Sequence, residues 1–170
     1  MEQVEFNIII ISDRAYHGTR NDKTIPEVRS WCKDNNFRIV QSVIIPDEPD
    51  QIADAIHRFI NEDNVQLILT SGGTGFAPRD ITPEVTAHII KKRTPGIDEY
   101  LRMVGLQKTP YAALSRGISG IVNNKLIINF PGNPRAVIEN LEGLKKILPH
   151  ALSLLRGSQN DDSHKIKVGE

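Results

Sequence analysis

The segment from Val4 to Ile11 constrains the fold of this chain more than any other. It is a nearly continuous apolar run, Val-Glu-Phe-Asn-Ile-Ile-Ile-Ile. A strand with one face in water alternates apolar and polar side chains, whereas a strand buried on both faces is apolar almost throughout. The run therefore predicts an inner strand of a parallel sheet, and such a sheet needs helices on both faces.

The patterns that follow alternate between helix and strand. Helical patterns begin at Pro26, near Ile52, and at Thr82, Thr94 and Pro134, and strand patterns cover 37–45, 65–70, 118–122 and 126–130. This order predicts a mostly parallel α/β sheet. A tight hairpin at Asn123-Asn124-Lys125 makes one strand antiparallel to the rest. We assign residues 1–155 to one domain and residues 156–170 to a polar, flexible C-terminal tail.

A glycine-rich loop follows the predicted strand 65–70. It contains Ser71, Gly72, Gly73, Thr74 and Gly75. Glycines let the backbone approach a ligand closely and turn its N–H groups toward an anion such as phosphate. Arg79 and Asp80 supply a cation for phosphate and a carboxylate for a metal or a proton. Thr82 is the predicted N-cap of the next helix, with Pro83 at its first position.

The loop differs from two better-known phosphate-binding loops. A P-loop contains a Gly-Lys pair, which this sequence lacks. The dinucleotide-binding fingerprint requires a third glycine where this chain has Pro78. A glycine-rich turn without a ligand is the alternative explanation, and the adjacent Arg79-Asp80 pair argues against it.

Polar residues and glycines also follow the other predicted strands. Ligands of open parallel sheets bind at the carboxyl ends of the strands, so four such loops predict a single pocket. Carboxylates suit Mg²⁺, whereas arginines and helix N-termini suit phosphates, and together they indicate phosphoryl or nucleotidyl transfer. Besides the glycine-rich loop, the candidates are Ser12, Asp13, Arg14, Asp47, Glu48, Pro131, Gly132, Asn133 and Pro134.

Several candidates also have a purely structural explanation. Asp47 would cap the helix at Pro49, and Asp80 would cap the helix at Thr82. A turn or a surface ion pair equally explains Asp13, Ser115, Arg116 and the Pro131–Pro134 turn. The roles of Asp13 and Glu48 are left open by these patterns.

Composition limits the class of protein. The 170 residues include 21 Lys and Arg and 21 Asp and Glu, and this zero net charge argues against a general nucleic-acid or membrane-surface binder. Cys32 is the only cysteine, which excludes an internal disulfide and favours a packing role. The five histidines show no metal-ligand spacing. The N-terminus lacks the features of a signal peptide, and no apolar run reaches about 20 residues, so we expect a cytoplasmic protein.

Five segments together resemble the signature of the molybdenum-cofactor biosynthesis family, in its stand-alone MogA/MoaB form. They occur in that family's order and approximate spacing over residues 5–155. The chain is too short for the multidomain molybdenum insertase, which carries a related domain among others. The segments are Ile11-Ser12-Asp13-Arg14, Ile45-Pro46-Asp47-Glu48, residues 69–84, Leu114-Ser115-Arg116 and Phe130-Pro131-Gly132-Asn133-Pro134.

The resemblance implies a three-layer α/β/α molybdopterin-binding fold and a molybdopterin adenylyltransferase. In that reaction the terminal phosphate of molybdopterin attacks the α-phosphorus of Mg-ATP, giving adenylyl-molybdopterin and pyrophosphate. Asp47 and Asp80 match the family's two functionally important aspartates and would hold Mg²⁺. The substrates would contact Ser12, Asp13, Arg14, the loop of Ser71, Gly72, Gly73, Thr74 and Gly75, and also Arg79, Ser115, Arg116, Pro131, Gly132, Asn133 and Pro134.

The resemblance also implies partners and alternatives. Family members form homotrimers, or hexamers in the MoaB branch, and their product accepts molybdate or tungstate at a later enzyme, the molybdenum insertase. A non-catalytic molybdopterin-binding paralogue acting in cofactor assembly is the alternative, and the presence of Asp47 and Asp80 argues against it. A third hypothesis is hydrolysis in pyridine-nucleotide salvage, where a related domain occurs beside an amidase-like domain.

Overall fold

One sheet between two layers of helices forms the fold of the computed structural model, which describes residues 3–61 and 65–157. Of the predicted tail, residues 158–170 lie outside the described residues. In chain order the elements are β1 (Val4–Ile11), α1 (Asp13–Tyr16), α2 (Thr24–Asn35), β2 (Phe37–Ile45), α3 (Pro49–Asn61), β3 (Leu67–Ser71), α4 (Thr82–Ile89), β4 (Lys92–Arg93), α5 (Pro95–Leu106), a 3₁₀ turn (Pro110–Leu114), β5 (Ser119–Val122), β6 (Lys125–Phe130), α6 (Pro134–Leu144) and α7 (Leu148–Leu155).

The strand order of the sheet is β2-β1-β3-β6-β5-β4. The neighbours β2, β1, β3 and β6 are parallel, β5 is antiparallel to β6, and β4 is antiparallel to β5. The two-residue strand β4 therefore runs with the parallel set, and β5 alone among the described strands runs against it. The predicted mostly parallel sheet with one antiparallel strand is confirmed.

Strand β1 is buried on both faces, as its apolar run predicts. Phe6, Ile8 and Ile10 pack into the core layer that contains α2, α5, α6 and α7. Ile9 and Ile11 point the opposite way, into the layer that contains α3 and α4. A fully buried isoleucine contributes about 1.5–3 kcal/mol relative to an exposed one, so this strand anchors both layers.

The hairpin between β5 and β6 is one residue shorter than predicted. Asn123 and Asn124 have φ of 47° and 58°, the left-handed region that asparagine tolerates. Two such residues form a turn whose twist matches that of the flanking strands. Lys125 belongs to β6, and its buried ammonium donates to the Val65 carbonyl at 2.7 Å.

Two local predictions were wrong. Thr82 is not an N-cap, because Ile81 occupies that position and the buried Thr82 hydroxyl donates to the Gly72 carbonyl at 2.9 Å. The last predicted helix is two helices, α6 and α7. Pro149 has no N–H and its ring would clash with the preceding turn, so a continuous helix is excluded there. The elements α1 and β4 and the 3₁₀ turn were not predicted, because segments this short show no periodicity.

Cys32 lies in the core, as predicted, with 6% of its surface exposed. Burial raises the pKa of its thiol to about 11, which makes the residue a packing group rather than a nucleophile. Across residues 3–61 and 65–157, none of the helices has both the length and the apolar character that crossing a bilayer requires.

Candidate active site

The loops after β1, β2, β3 and β6 lie side by side at one edge of the sheet, because these four strands are parallel neighbours. The structure thus brings together the segments that the sequence placed at the strand ends. Within them, the Ser12 hydroxyl accepts a hydrogen bond from the Ala15 N–H at the start of α1, and the Asn133 side chain accepts one from the Arg135 N–H at the start of α6. The predicted Asn133 cap is confirmed.

Glycine is required where the central loops touch. Gly72 has φ of 114°, and a Cβ there would lie 2.1 Å from the Ile11 carbonyl oxygen. Its N–H donates to the Phe130 carbonyl at 3.2 Å. A Cβ on Gly132 would lie 3.2 Å from the Gly72 Cα. The end of β1 and the loop after β3 therefore approach each other more closely than a side chain allows, and the loop after β6 packs tightly against Gly72.

Asp47 and Asp80 both face the backbone of the glycine-rich loop. A Cβ on Gly73 would lie 3.4 Å from Asp47 Oδ1, and a Cβ on Gly75 would lie 2.8 Å from Asp80 Oδ2. Both aspartates are partly buried. The missing side chain of Gly75 thus makes the space for the Asp80 carboxylate, whereas a Cβ on Gly73 would meet the Thr82 hydroxyl first, at 2.3 Å.

The carboxylates of Asp47 and Asp80 do not serve as helix caps. The Asp13 N–H donates to Asp47 Oδ2 at 2.9 Å, and the Asp47 N–H donates to Asp13 Oδ1 at 3.0 Å, a reciprocal pair that joins the ends of β1 and β2. Asp80 Oδ2 accepts from the Ala77 N–H at 3.0 Å, which closes the end of the glycine-rich loop. The capping explanation of both residues was therefore wrong.

Asp13 and Asp47 differ in acidity although they touch. Hydrogen bonds from the Arg79 side chain, and next from the Asp47 N–H, lower the pKa of Asp13. Burial raises the pKa of Asp47. The hydrogen bond from the Asp13 N–H lowers this pKa, whereas the nearby charges of Asp13 and Asp80 raise it, and the net shift is upward. Asp13 is thus held as an anion, whereas a positive charge placed near Asp47 would stabilise the ionised form of its carboxyl.

Arg79 is bound by protein groups on two neighbouring loops. Its Nε donates to Asp13 Oδ2 at 2.8 Å, and its Nη2 to Asp13 Oδ1 at 3.1 Å. Nη2 also donates to Glu48 Oε1 at 2.8 Å and to the Asp47 carbonyl at 3.2 Å. Glu48, whose role the sequence left open, is thus a partner of Arg79.

Arg116 holds the other flank of the glycine-rich loop. Its backbone N–H donates to the Thr74 carbonyl at 2.9 Å, and its Nε donates to the Gly75 carbonyl at 2.7 Å. Its remaining guanidinium nitrogens donate to the Asp80 carbonyl and pair with Glu84. Arg79 and Arg116, both predicted to contact the substrates, are therefore held by protein groups in this structure.

The loops enclose two adjoining cavities rather than the single predicted pocket. The first cavity, of about 430 Å³, is lined in part by Gly73, Thr74, Gly75, Asp80, Leu101, Tyr111, Leu114, Ser115, Asn129, Pro131, Gly132, Asn133 and Glu139. The second cavity, of about 580 Å³, is lined in part by Ser12, Asp13, Arg14, Arg20, Lys23, Asp47, Ser71, Gly72, Gly73, Asp80, Gly132, Asn133 and Pro134. Gly73, Asp80, Gly132 and Asn133 line both.

Sequence reasoning missed lining residues of both cavities. Arg20 and Lys23 follow Arg14 on one wall of the second cavity, and this run of cations after β1 was a usable signal. Asn129 lies in the first cavity, where its amide donates to the Thr70 and Thr86 hydroxyls at 3.0 Å. A polar residue within the apolar strand β6 was the signal for it.

The carboxylates fit a metal that arrives with a substrate. In the part of the chain that the structure describes, no three His, Cys, Asp or Glu side chains are grouped to hold a metal by themselves. Asp47 and Asp80 offer two carboxylates at one glycine-rich loop. Mg²⁺ is typically bound by one or two carboxylates, with substrate phosphates and water completing its coordination. The pair therefore fits a divalent cation whose coordination a substrate phosphate and water would complete.

Comparisons with known proteins point in one direction. The family described as "Probable molybdopterin binding domain" matches residues 7–150. The molybdenum cofactor synthesis protein cinnamon of Drosophila melanogaster is 38% identical over 91% of this chain, which spans only 26% of that protein. The molybdopterin adenylyltransferase of Helicobacter pylori is 38% identical, with 93% of this chain and 91% of that protein covered.

Solved structures agree with the sequence relatives. The molybdopterin biosynthesis enzyme MoaB from Thermus thermophilus superposes with a TM-score of 0.84 at 41% identity. The match covers 91% of this chain and 98% of that one. The likeness therefore extends over nearly the whole of both chains.

Proposed function

Because this chain belongs to the molybdopterin-binding domain family of molybdenum-cofactor biosynthesis, we propose that it is a molybdopterin adenylyltransferase that uses Mg-ATP. The observation that carries the proposal is the meeting of two unlike cavities at Gly73 and Asp80. A reaction between two large substrates needs two binding sites that share one reaction centre.

We assign the nucleotide to the second cavity. Arg14, Arg20 and Lys23 line it together with Asp47. Cationic side chains neutralise phosphate oxygens, and a glycine-rich loop before a helix presents N–H groups to them. This cavity thus offers the groups that a triphosphate and its Mg²⁺ require.

We assign the pterin of molybdopterin to the first cavity. Leu101, Tyr111 and Leu114 give it apolar walls, and Ser115 adds a hydroxyl. A flat heterocycle needs that combination, since apolar walls bind its faces and a few polar groups orient its edges. Its terminal phosphate would then lie at the shared residues.

The proposed chemistry takes place where the cavities join. A terminal phosphate oxygen of molybdopterin forms a bond to the α-phosphorus of ATP, the bond from that phosphorus to the bridging oxygen breaks, and pyrophosphate leaves. Asp47 and Asp80 hold Mg²⁺, which neutralises phosphate charge when bound. The protein's part is to align the two phosphates and to exclude water.

A time course with molybdopterin, ATP and Mg²⁺ tests this proposal, with pyrophosphate and adenylylated pterin followed by mass spectrometry. We expect product that depends on all three. Asp80→Asn should reduce turnover by about 10²–10³-fold with an unchanged fold. Asp54→Asn, at an exposed position on α3, is the matched control and should retain full turnover.

Other outcomes of this time course would contradict the proposal. Tight pterin binding with no product would favour the non-catalytic paralogue. Hydrolysis of an ADP-ribose-type substrate, unaffected by molybdopterin, would favour the hypothesis of a hydrolase in pyridine-nucleotide salvage. Full turnover in Asp80→Asn would remove the role assigned to Asp80.

We also propose a homo-oligomer, a trimer or a hexamer. Met103 and Leu106 on α5 are large apolar residues with half of their surface exposed, which is typical of a contact face. Sedimentation equilibrium measures the assembly directly, and a monomer would refute it. A cytoplasmic location and delivery of the product to a molybdenum insertase stay predictions.

A further inference from the structure

We propose that Arg79 is a positioning residue: it engages Asp13 and Glu48 and so leaves Asp47 and Asp80 as the carboxylates that receive a divalent cation. The inference rests on the proposed function, because it concerns the cation that accompanies the nucleotide. It also replaces the sequence-based role of Arg79 as a phosphate ligand.

The geometry places Arg79 across three loops. The residue lies in the loop after β3, next to Asp80, and its guanidinium reaches Asp13 after β1 and Glu48 after β2. It also donates to the Asp47 carbonyl oxygen at 3.2 Å. One side chain therefore fixes the loop that carries Asp80 against the loop that carries Asp47.

The charges separate into two pairs. Asp13, Asp47, Glu48 and Asp80 bring four carboxylates to this edge of the sheet. Arg79 forms ion pairs with Asp13 and Glu48 at 2.8 Å each. Within residues 3–61 and 65–157, Asp47 and Asp80 have no ion pair with a Lys, Arg or His side chain. The unpaired carboxylates are the two that face the glycine-rich loop.

The contacts of the Arg79 guanidinium need an arginine at this position, and they argue against a role for Arg79 in binding phosphate. Nε and Nη2 are both engaged, in a fork that a lysine cannot reproduce. A move toward phosphate would leave Asp13 and Glu48 without their cation. The ion pairs are more than half exposed on the arginine side, so solvent screens them and they add little to the stability of the fold. Their main effect is on position.

Mn²⁺ binding provides a test that does not depend on turnover. We would titrate Mn²⁺ by electron paramagnetic resonance in the presence of α,β-methylene-ATP, whose α,β linkage cannot be cleaved. Wild type should bind one Mn²⁺ per chain. Arg79→Gln should bind that ion about 10-fold more weakly and gain a second, weaker site from the freed Asp13 and Glu48. Arg38→Gln, which breaks a surface pair with Glu5 at the other end of β2, is the control.

Two further variants keep the test decisive. Arg79→Lys should give intermediate Mn²⁺ affinity, which excludes a simple folding defect. Adding Glu48→Gln to Arg79→Gln should abolish the second Mn²⁺ site. In turnover, Arg79→Gln should lower kcat by about 10²-fold, with a smaller change in KM for ATP.

The opposite results would overturn the inference. Unchanged Mn²⁺ binding in Arg79→Gln, or a raised KM for ATP at unchanged kcat, would make Arg79 an ordinary surface residue or a phosphate ligand. These results can be told apart from failure of the proposed function. That failure is the absence of product from the wild-type chain, and the Mn²⁺ titrations are read without product.

Discussion

The first and second cavities share Gly73, Asp80, Gly132 and Asn133 but differ in their outer walls. The outer wall of the first comes from α5 and the 3₁₀ turn and includes Leu101. The outer wall of the second comes from the segment between β1 and α2 and is rich in charge. This comparison indicates that the shared loops determine where the reaction takes place, whereas the separate walls determine which substrate binds in each cavity.

Gly72→Ala should have the largest effect, because Gly72 lines the second cavity and lies against Gly132, which lines both cavities. The added Cβ would lie 2.1 Å from the Ile11 carbonyl oxygen at a φ of 114°. We expect a loss of about 3 kcal/mol or more in the free energy of unfolding, measured by urea denaturation, together with loss of both substrate affinities.

Gly18→Ala is the matched control for Gly72→Ala. Gly18 also has a positive φ, of 72°, but a Cβ there meets nothing within 4 Å. It should cost only about 1 kcal/mol, from backbone strain alone. Equal losses in the two variants would show that close loop contact is not what requires Gly72.

Removing the cations of the second cavity should have the next largest effect. The double variant Arg20→Ala, Lys23→Ala should raise the KM for ATP by about 10-fold, since each lost phosphate contact weakens binding modestly. Affinity for the pterin, measured by fluorescence titration, should not change. A loss of pterin affinity as large as the rise in the KM for ATP would mean that the two substrates do not bind in separate cavities.

Truncating an apolar side chain of the first cavity should weaken pterin binding rather than ATP binding, and by a smaller factor. Leu114 lines this cavity and has 47% of its surface exposed. Leu114→Ala should weaken pterin binding by about 3–5-fold, from the apolar contact area lost, and leave the KM for ATP unchanged. An effect on ATP alone would reverse the assignment of the two cavities.

The sequence predicted the shared part of the site better than its walls. The loops around Gly73 and Asn133 follow directly from strands whose apolar patterns are unambiguous, so their meeting at one edge could be inferred from topology. The outer wall of the first cavity could not be inferred. It depends on how α5 and the 3₁₀ turn pack after the short strand β4, and segments of two to five residues show no periodicity.

Side-chain pairing was equally hidden from sequence. Arg79 follows the glycine-rich loop and Arg116 lies in a segment that resembles the family signature, yet their partners Asp13 and Glu84 are 66 and 32 residues away along the chain. Such contacts arise only when the loops are folded together. The residue types indicated phosphate chemistry, whereas the structure shows which charges are already matched inside the protein.

The smallest predicted effects concern stability and contrast one carboxyl from each cavity. Burial raises the pKa of Asp47 in the second cavity and of Asp98 in the first. A carboxyl whose folded-state pKa is raised binds its proton more tightly in the folded state. Its favourable contribution is complete below the unfolded value of about 4 and is lost as the pH rises through the raised pKa. On this ground alone, a neutral asparagine should stabilise the fold at neutral pH at both positions.

Hydrogen bonding should make the two variants differ in sign. Within residues 3–61 and 65–157, one Asp47 oxygen alone accepts a protein hydrogen bond, from the Asp13 N–H, and asparagine can accept the same bond. Both Asp98 oxygens accept, one from the Ser119 hydroxyl and one from Arg93 at 3.2 Å, and an asparagine NH₂ would face one of these donors. We therefore expect Asp47→Asn to raise Tm by roughly 1–3 °C at pH 7.5, and Asp98→Asn to lower it by roughly 2–6 °C.

Thermal denaturation between pH 4 and pH 7.5 checks both signs. The gain in Asp47→Asn should shrink toward zero as the pH falls, because the wild-type carboxyl then becomes neutral itself. The loss in Asp98→Asn should persist at neutral pH, where Arg93 pairs with the ionised wild-type carboxylate. If both variants were stabilised equally, burial would outweigh hydrogen bonding in both cavities. In that case the hydrogen bonds between Asp13 and Asp47 would not account for the second cavity's tolerance of a carboxylate at position 47.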